Sequence, residues 1–472
     1  MTDETSSQLP ELAVDTIAAL ATAAGVGAIA LVRMSGPESF QVLRALTPDH
    51  ADPAPRTATL QSISKGEGGD LLDRALVTAF PRPDSYTGED MVEISCHGGW
   101  LVPRLILDAC LATGARLAEP GEFTRRAVLH GKMDLVQAEA VLDLIEGRSK
   151  AQHDAALFQV ERGLSRRIAE LRGQFVEVEA YLAHHIDFPE EDEAPVSMDR
   201  VVDVATGLRE ALEDLLETAP EGELLREGAV TVLAGPPNSG KSSLYNALLG
   251  EERAIVTEVP GTTRDALEAV ISIGGFPFRL VDTAGIHDSD DRVEELGIEV
   301  ARRYLERADL VLFCVESPAD LGSAEREFLA GLDVPTVLLR TKADLASGDS
   351  ASKDLEDGDL ADVANIRESV DLSVVDGTGL GRLQAILPEL VYGGLVRTGA
   401  SVPALTRARQ SEAVRKACDQ VVAFIEALDE GTPVAVASAL LRPAETALEE
   451  LLGLISTDEI LDRVFREFCI GK

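Results

Sequence analysis

The stretch AVTVLAGPPNSGKSSLYNALLG, residues 229–250, runs from an apolar strand pattern through a glycine-rich turn into a helical pattern. Inside it Gly235, Gly240, Lys241 and Ser242 satisfy the spacing GxxxxGKS. In that strand–turn–helix context the residues form a phosphate-binding loop. Its glycines let backbone N–H groups curl around phosphate oxygens, with Ser239 and Ser243 in the same turn. Lys241 reaches the β- and γ-phosphates, and the Ser242 hydroxyl is placed to ligate Mg2+.

Further along, LVDTAG follows a strand pattern and offers Asp282 to the outer sphere of that metal and Gly285 to the γ-phosphate. GTTRD, between the two, supplies Thr263 as a second Mg2+ hydroxyl. LLRTKAD then places Lys342 along a base and Asp344 against the N1 and 2-amino donors that guanine has and adenine lacks. Ser373, in VDLSVVDG, falls where a backbone contact to guanine O6 is expected. Together these residues point to GTP and argue against an ATP-dependent enzyme. The guanine motif usually begins with Asn; Thr341 keeps a hydroxyl but loses the amide, which predicts weaker nucleotide affinity. Ile286 stands where many small GTPases orient water with Gln, so another group is expected to do that work, with Asp288, Asp290, Asp291, Glu294 and Glu295 nearby. Asn238 offers a carbonyl suited to a monovalent cation.

These residues need a scaffold. From about 228 to 390 strand patterns alternate with helical ones, the signature of a parallel-sheet α/β domain. Before residue 130 short β-rich runs such as GAIALVRM and RALVTAF alternate with helical pieces, which reads as a small α+β domain. From about 133, Leu135, Ala138, Val141, Leu142 and Ile145, then Ile168, Leu171, Phe175, Val178 and Leu182, recur at helical spacing. DFPEEDEAP reads as a solvated loop between helices, and helical patterning returns after about 400. Helical segments on both sides of an α/β unit suggest that the unit is inserted into a helical domain.

The chain has 472 residues and a formal charge of −39, which excludes a broad electrostatic grip on nucleic acid and leaves only local RNA contact. The five cysteines (Cys96, Cys110, Cys314, Cys418 and Cys469) have neither disulfide-framework nor zinc-site spacing. No apolar run reaches the roughly eighteen residues of a membrane span, and the start lacks a signal-peptide layout, so a cytoplasmic location is expected. The ending FREFCIGK poses a choice between an ordinary frayed tail and a segment held in a site.

The motifs DTIAAL, GAIALVRMSG, YTGEDMVEISCHGG, EPGEFTRRAVLHGKMDLVQAEA and the terminal CIGK, with the inserted nucleotide domain between them, resemble the MnmE/TrmE family of tRNA-modification GTPases over nearly the whole chain. The resemblance implies a multidomain fold: an α+β N-terminal folate-binding and dimerisation domain (1–131), an all-α helical domain (132–227 and 396–472), and an inserted α/β P-loop GTPase domain (228–395). It implies a homodimer in which each N-terminal domain binds 5,10-methylenetetrahydrofolate or 5-formyltetrahydrofolate. It also implies an FAD-containing partner of the MnmG (GidA) family, with which C5 of the tRNA wobble uridine receives an aminomethyl or carboxymethylaminomethyl group.

By matching motifs, the resemblance assigns folate binding to Arg33, Glu93, Lys132 and Lys472. A carboxylate suits a pterin's N–H groups and cations suit folate's carboxylates. It makes Glu294 the residue that orients water, and gives K+ to Asn238, Thr257, Val259 and Thr262, which adds Thr257 and Thr262 to the nucleotide site. The CIGK tail is then expected near the folate site, with Cys469 either a reactive thiol or a small buried hydrophobe. The alternative reading is a GTP-switched ribosome-assembly or RNA-binding factor, which usually carries a basic RNA-binding module that this chain lacks.

Overall fold

A computed structural model describes residues 15–66, 68–187, 196–251, 267–282, 303–317, 321–345, 365–398, 404–455 and 458–472. By internal packing the chain divides into two units. The first comprises Met1–Leu142, Ser165–Leu208 and Lys416–Lys472, and the second Asp143–Leu164 and Arg209–Arg415. Packing thus groups some helical residues with the α/β domain, which sequence patterning assigns to a separate helical domain.

The first unit contains a six-stranded sheet: β1 Ile17–Leu20, β2 Ile29–Ser35, β3 Thr59–Ser64, β4 Leu71–Phe80, β5 Met91–His97 and β6 Arg116–Leu117. The spatial order is β3-β4-β5-β2-β1-β6, antiparallel except for the parallel β1–β6 pair. Strand alternation sends Val32, Met34, Val92 and Ile94 to one face, where they pack with Val42, Leu43 and Leu46 of helix Ser39–Leu46 and Ile106 and Cys110 of helix Val102–Ala112. The intervening Arg33 and Glu93 take the opposite face. They are direct cross-strand partners in the β2–β5 register.

The helical part of this unit buries Ile168, Leu171, Phe175, Val178 and Leu182 as the periodicity predicts. Leu135, Ala138 and Leu142 pack with Leu461, Val464, Phe465 and Phe468. Ile145 departs from the expectation: it is 46% exposed, because the apolar stripe of helix Leu135–Glu146 has run out by its last turn.

The second unit is built on β7 Ala229–Ala234, β8 Leu267–Ile273, β9 Phe276–Asp282, β10 Leu310–Glu316, β11 Thr336–Thr341 and β12 Ile366–Asp371. Their order is β12-β11-β10-β7-β9-β8, parallel except for the β8–β9 hairpin. Leu233, Leu312 and Leu339 pack on one face and Val232, Phe313 and Leu338 on the other, the near-continuous apolar patterning of strands covered on both sides. Tyr392 is fully buried, stacks on Phe276, donates to Pro277 O at 2.6 Å and accepts from Ala229 N at 3.1 Å. It ties the segment after helix Leu380–Val391 to the start of β7. Among the described residues no helix is long and apolar enough to cross a membrane.

Candidate functional site

The predicted phosphate loop lies at the carboxyl end of β7, a central strand, where parallel sheets open the crevice that holds their ligands. Gly235 has φ 133°, and a Cβ there would stand 2.1 Å from the Cys314 carbonyl oxygen of β10. Only glycine lets the chain leave β7 so close to its neighbour. Positive φ at Asn238 (59°) and Gly240 (89°) coils the loop back into helix Lys241–Glu251.

Lys241 is 7% exposed and donates from Nζ to Gly235 O at 3.0 Å and Pro236 O at 2.7 Å. Burial holds its pKa below the usual lysine value, against the pull of Cys314 and Asp282. Phosphate oxygens above the loop would offset that desolvation. Ser239 is 3% exposed and its Oγ has no hydrogen-bond partner among the described residues, so the loop presents an orphaned polar atom that suits an anionic oxygen. Ser242 and Ser243 are exposed at the helix start, and Asp282, 1% exposed, ends β9 beside the loop. A hydroxyl and a buried carboxylate are the hard oxygen donors that Mg2+ prefers.

Thr341, at the end of β11, is 3% exposed, with its Oγ1 2.7 Å from Ser239 O and 3.0 Å from Val315 O. It links the loop to two strands. Lys342 follows with φ 56° and pairs with Glu316 at 3.0 Å. Ser373 Oγ donates to Asp344 Oδ1 at 2.7 Å and accepts from Val375 N at 3.3 Å, so the two sequence-distant residues expected at the base meet directly. Thr257, Val259, Thr262, Thr263, Gly285 and Glu294 lie outside the described residues. Of the K+ set only Asn238 is described, exposed and in the left-handed region; of the Mg2+ hydroxyls only Ser242 is.

The first unit holds a separate cleft of about 500 Å3, lined in part by Arg33, Glu93 and Lys132 with Arg56 and Tyr86. Arg33 donates to Glu93 Oε1 from Nε at 3.0 Å and Nη2 at 2.7 Å. Its guanidinium lies 5.6 Å from the Tyr86 ring centre and 5.8 Å from that of Phe123, so two aromatic faces and a carboxylate fix its plane. Tyr86 is held in turn by a 2.9 Å bond to Thr124, and Lys132 Nζ donates to Pro83 O at 3.0 Å.

The CIGK segment is held against this domain. Gly121 N donates to Cys469 O (3.3 Å), Phe123 N to Lys472 O (3.1 Å), and Arg33 Nη1 to Gly471 O (3.5 Å). Gly471 has φ 94° and passes so near β1 that a Cβ would lie 2.5 Å from Leu20 O. Half-buried Lys472 has its pKa lowered by burial and by Arg33, with Glu93 acting the other way. Cys469 is exposed, which removes the buried-hydrophobe reading of its role. The four cations Arg33, Arg56, Lys132 and Lys472 beside the carboxylate Glu93 fit a polyanion that carries a donor-bearing ring.

Sequence reasoning missed Arg56, Phe123 and Tyr86, although Tyr86 opens the motif YTGEDMVEISCHGG. It also missed Arg126, 3% exposed, which pairs with Asp15 (2.8 Å), Glu122 (2.8 Å) and Glu89 (3.2 Å). That network fixes the start of helix Glu122–Leu129, from which two of the tail-holding amides come.

A parallel sheet with a glycine-rich loop and buried lysine at its central strand, an aspartate ending the next strand and a Lys-x-Asp after a third defines a P-loop GTPase domain. The model of the TrmE N-terminus, described as a GTP-binding protein, matches residues 16–132, and that of the MnmE helical domain matches residues 135–469. A tRNA modification GTPase MnmE of Heliobacterium modesticaldum is 41% identical over 468 residues, covering 97% of this chain and 99% of its own. That of Moorella thermoacetica is 40% identical over 464 residues with the same coverage. Among solved structures, the G domain of the T. maritima FeoB iron transporter is 30% identical over 34% of this chain and 98% of its own, with a TM-score of 0.26. The chain belongs to the MnmE family of tRNA modification GTPases and is a GTP-hydrolysing enzyme.

Proposed function

We propose that this enzyme is a K+-activated GTPase that, as a homodimer and with an FAD-containing MnmG (GidA) family protein, installs an aminomethyl or carboxymethylaminomethyl group at C5 of the tRNA wobble uridine in the cytoplasm. A tetrahydrofolate, 5,10-methylene or 5-formyl, supplies the one-carbon unit. The domain division expected from sequence, 1–131, 132–227 with 396–472, and 228–395, is part of this reading.

Lys241 and the loop amides from Gly235 to Ser243 would hold the phosphates, with Gly285 toward the γ-phosphate, and Ser242, Thr263 and Asp282 would hold the Mg2+, which would supply charge neutralisation there. Thr341, Lys342, Asp344 and Ser373 hold the guanine. Glu294 orients the water that attacks the γ-phosphorus as the bond to the β,γ-bridging oxygen breaks. Asn238, Thr257, Val259 and Thr262 would hold K+, which would supply positive charge against the charge developing on the phosphates.

In the N-terminal cleft Arg33, Glu93, Lys132 and Lys472 bind the folate: Glu93 accepts from the pterin's donors while the cations meet its carboxylates. Exposed Cys469, in the tail, stands as a thiol candidate. GTP hydrolysis drives a conformational step and does not supply the covalent chemistry. RNA contact is local, as the charge of −39 requires.

The observation that carries this reading is the Arg33–Glu93 pair, set between Tyr86, Phe123 and the CIGK tail in a chain that also holds the complete loop Gly235–Ser243. Its test is nucleoside mass spectrometry of bulk tRNA from cells lacking the gene, with and without a restoring copy. Loss and recovery of C5-aminomethyl-type wobble uridines is the expected result. An unchanged profile would leave a GTPase with another task and reject the tRNA assignment.

A further inference from the structure

Each polar side chain of the motif Thr341, Lys342 and Asp344 is held by a group from another part of the second unit. Thr341 has Ser239 O and Val315 O, and Asp344 has the Ser373 hydroxyl. The holder of Lys342 is Glu316, 3.0 Å away, a residue that belongs to no nucleotide motif.

The backbone fixes where both side chains start. Glu316 is the last residue of β10 and stands opposite Thr341 in the parallel β10–β11 register. The ladder continues one step further, with Ser317 N donating to Thr341 O at 2.9 Å. Lys342 follows β11 with φ 56°, and bonds on its C-terminal side, from Ala343 N to Leu372 O (3.2 Å) and from Leu345 N to its own carbonyl (2.9 Å), hold that turn. What the backbone leaves free is the four-carbon stem, whose rotamers are among the most costly to freeze. The ion pair restrains it, because the ammonium is tied to β10 while the Cα is tied to β11. Among the described residues Lys342 and Glu316 have no other charged partner.

Such a pair does little for the fold. The two side chains are 34% and 52% exposed, and ion pairs so placed in water add little to stability. The effect falls on the ligand instead: a stem ordered before the nucleotide arrives spares the complex the entropy of ordering it. We infer that Glu316 is a positioning residue for guanine binding, which holds the Lys342 ammonium so that the apolar stem lies ready along the base. This rests on the reading of Lys342 as a contact to the base.

The test is a double-mutant cycle on the full-length protein, with GDP affinity read by calorimetric titration in Glu316→Gln, Lys342→Ala and the double variant. Glu316→Gln is expected to weaken GDP binding about two- to tenfold, the size that freeing one long side chain gives. It should raise KM for GTP by the same factor with kcat unchanged, the mark of lost uniform binding, and leave the thermal midpoint where it is. In the Lys342→Ala background the same substitution should change nothing, and the cycle subtracts whatever Glu316→Gln does to the strand end by itself. Equal effects in both backgrounds would overturn the proposal, as would wild-type affinity in Glu316→Gln while Lys342→Ala binds weakly. Wild-type affinity in Lys342→Ala would instead reject the base contact itself. Inosine diphosphate, which lacks the 2-amino group, separates face from edge. A stem on the ring face predicts equal losses for GDP and inosine diphosphate in Glu316→Gln; a larger loss for GDP would put Glu316 on the Asp344 contact and overturn the proposal.

Discussion

Thr341 stands where the guanine motif usually carries Asn, and its hydroxyl lies within bonding distance of both Ser239 O in the phosphate loop and Val315 O in β10. A single O–H cannot serve both at full strength, but it ties the loop to the sheet from a fully strand-bound position. Thr341→Val keeps the shape and removes the donor; it is expected to cost about 1–3 kcal/mol, the price of an unsatisfied buried acceptor. Thr341→Ser should retain most of the wild-type GTP affinity, whereas Thr341→Val should lose about tenfold or more in the same calorimetric titration; equal affinities for the two would show that the hydroxyl does not hold the loop. Residues of this kind are legible in sequence because the loop and its partners sit at fixed spacings beside strands. Glu93 is not: in isolation it is an alternate residue of a strand, and its meaning depends on a register that places it opposite Arg33. Arg126 is illegible for the same reason, since its carboxylate partners come from Asp15 and Glu89 as well as from its own helix.

At the scale of elements, the Arg126 network and the tail form one device. Burial alone would raise the pKa of Asp15, but hydrogen bonds from Arg116 and Arg126 outweigh it and hold the carboxyl below its ordinary value; Glu122 is lowered by the same two arginines and the Glu119 amide against its own burial. Carboxyls lowered on folding contribute stability that is complete above their unfolded values, about 4, and is lost as pH falls through the lower folded ones. The first unit should therefore become more labile as pH drops from about 5 toward 2. Arg126→Met, which removes the buried cation beside Glu89 and one of the two beside Asp15 and Glu122, should cost about 3–5 kcal/mol at neutral pH and weaken that acid dependence. Hydrogen exchange of the Gly121 and Phe123 amides, which donate to the tail, reads the outcome at about pH 5 and at neutral pH; protection unchanged in the variant would separate the network from the tail. The helices themselves were readable from their periodicity, as Phe175 and Leu182 show, and only the end of one stripe, at exposed Ile145, ran against it. The tail was readable as a question, but its partners at Gly121, Phe123 and Leu20 are matters of tertiary packing.

For the whole molecule, the α/β and helical classes follow from alternation and from 3.6-residue spacing, because those patterns record which faces are buried. The grouping of segments into two packed units does not, since it depends on which helices meet. The activity of the assembled enzyme gives the prediction at this scale. Replacing K+ by Na+ at equal ionic strength should slow GTP hydrolysis at least tenfold in a steady-state phosphate-release assay; equal rates would remove K+ from the mechanism.

The first unit draws on three separate stretches of chain, and the bond from Arg33 to Gly471 joins residues 438 positions apart. A ribosome therefore completes the entire nucleotide-binding unit before the segment that Arg33 holds has been made. Until then the nascent chain carries the strands of the first sheet without the segment that Gly121, Phe123 and Arg33 hold. A chain halted before Cys469 would be able to build its phosphate loop but would leave the Gly121 and Phe123 amides without their tail acceptors, so competence in one unit would not vouch for the other.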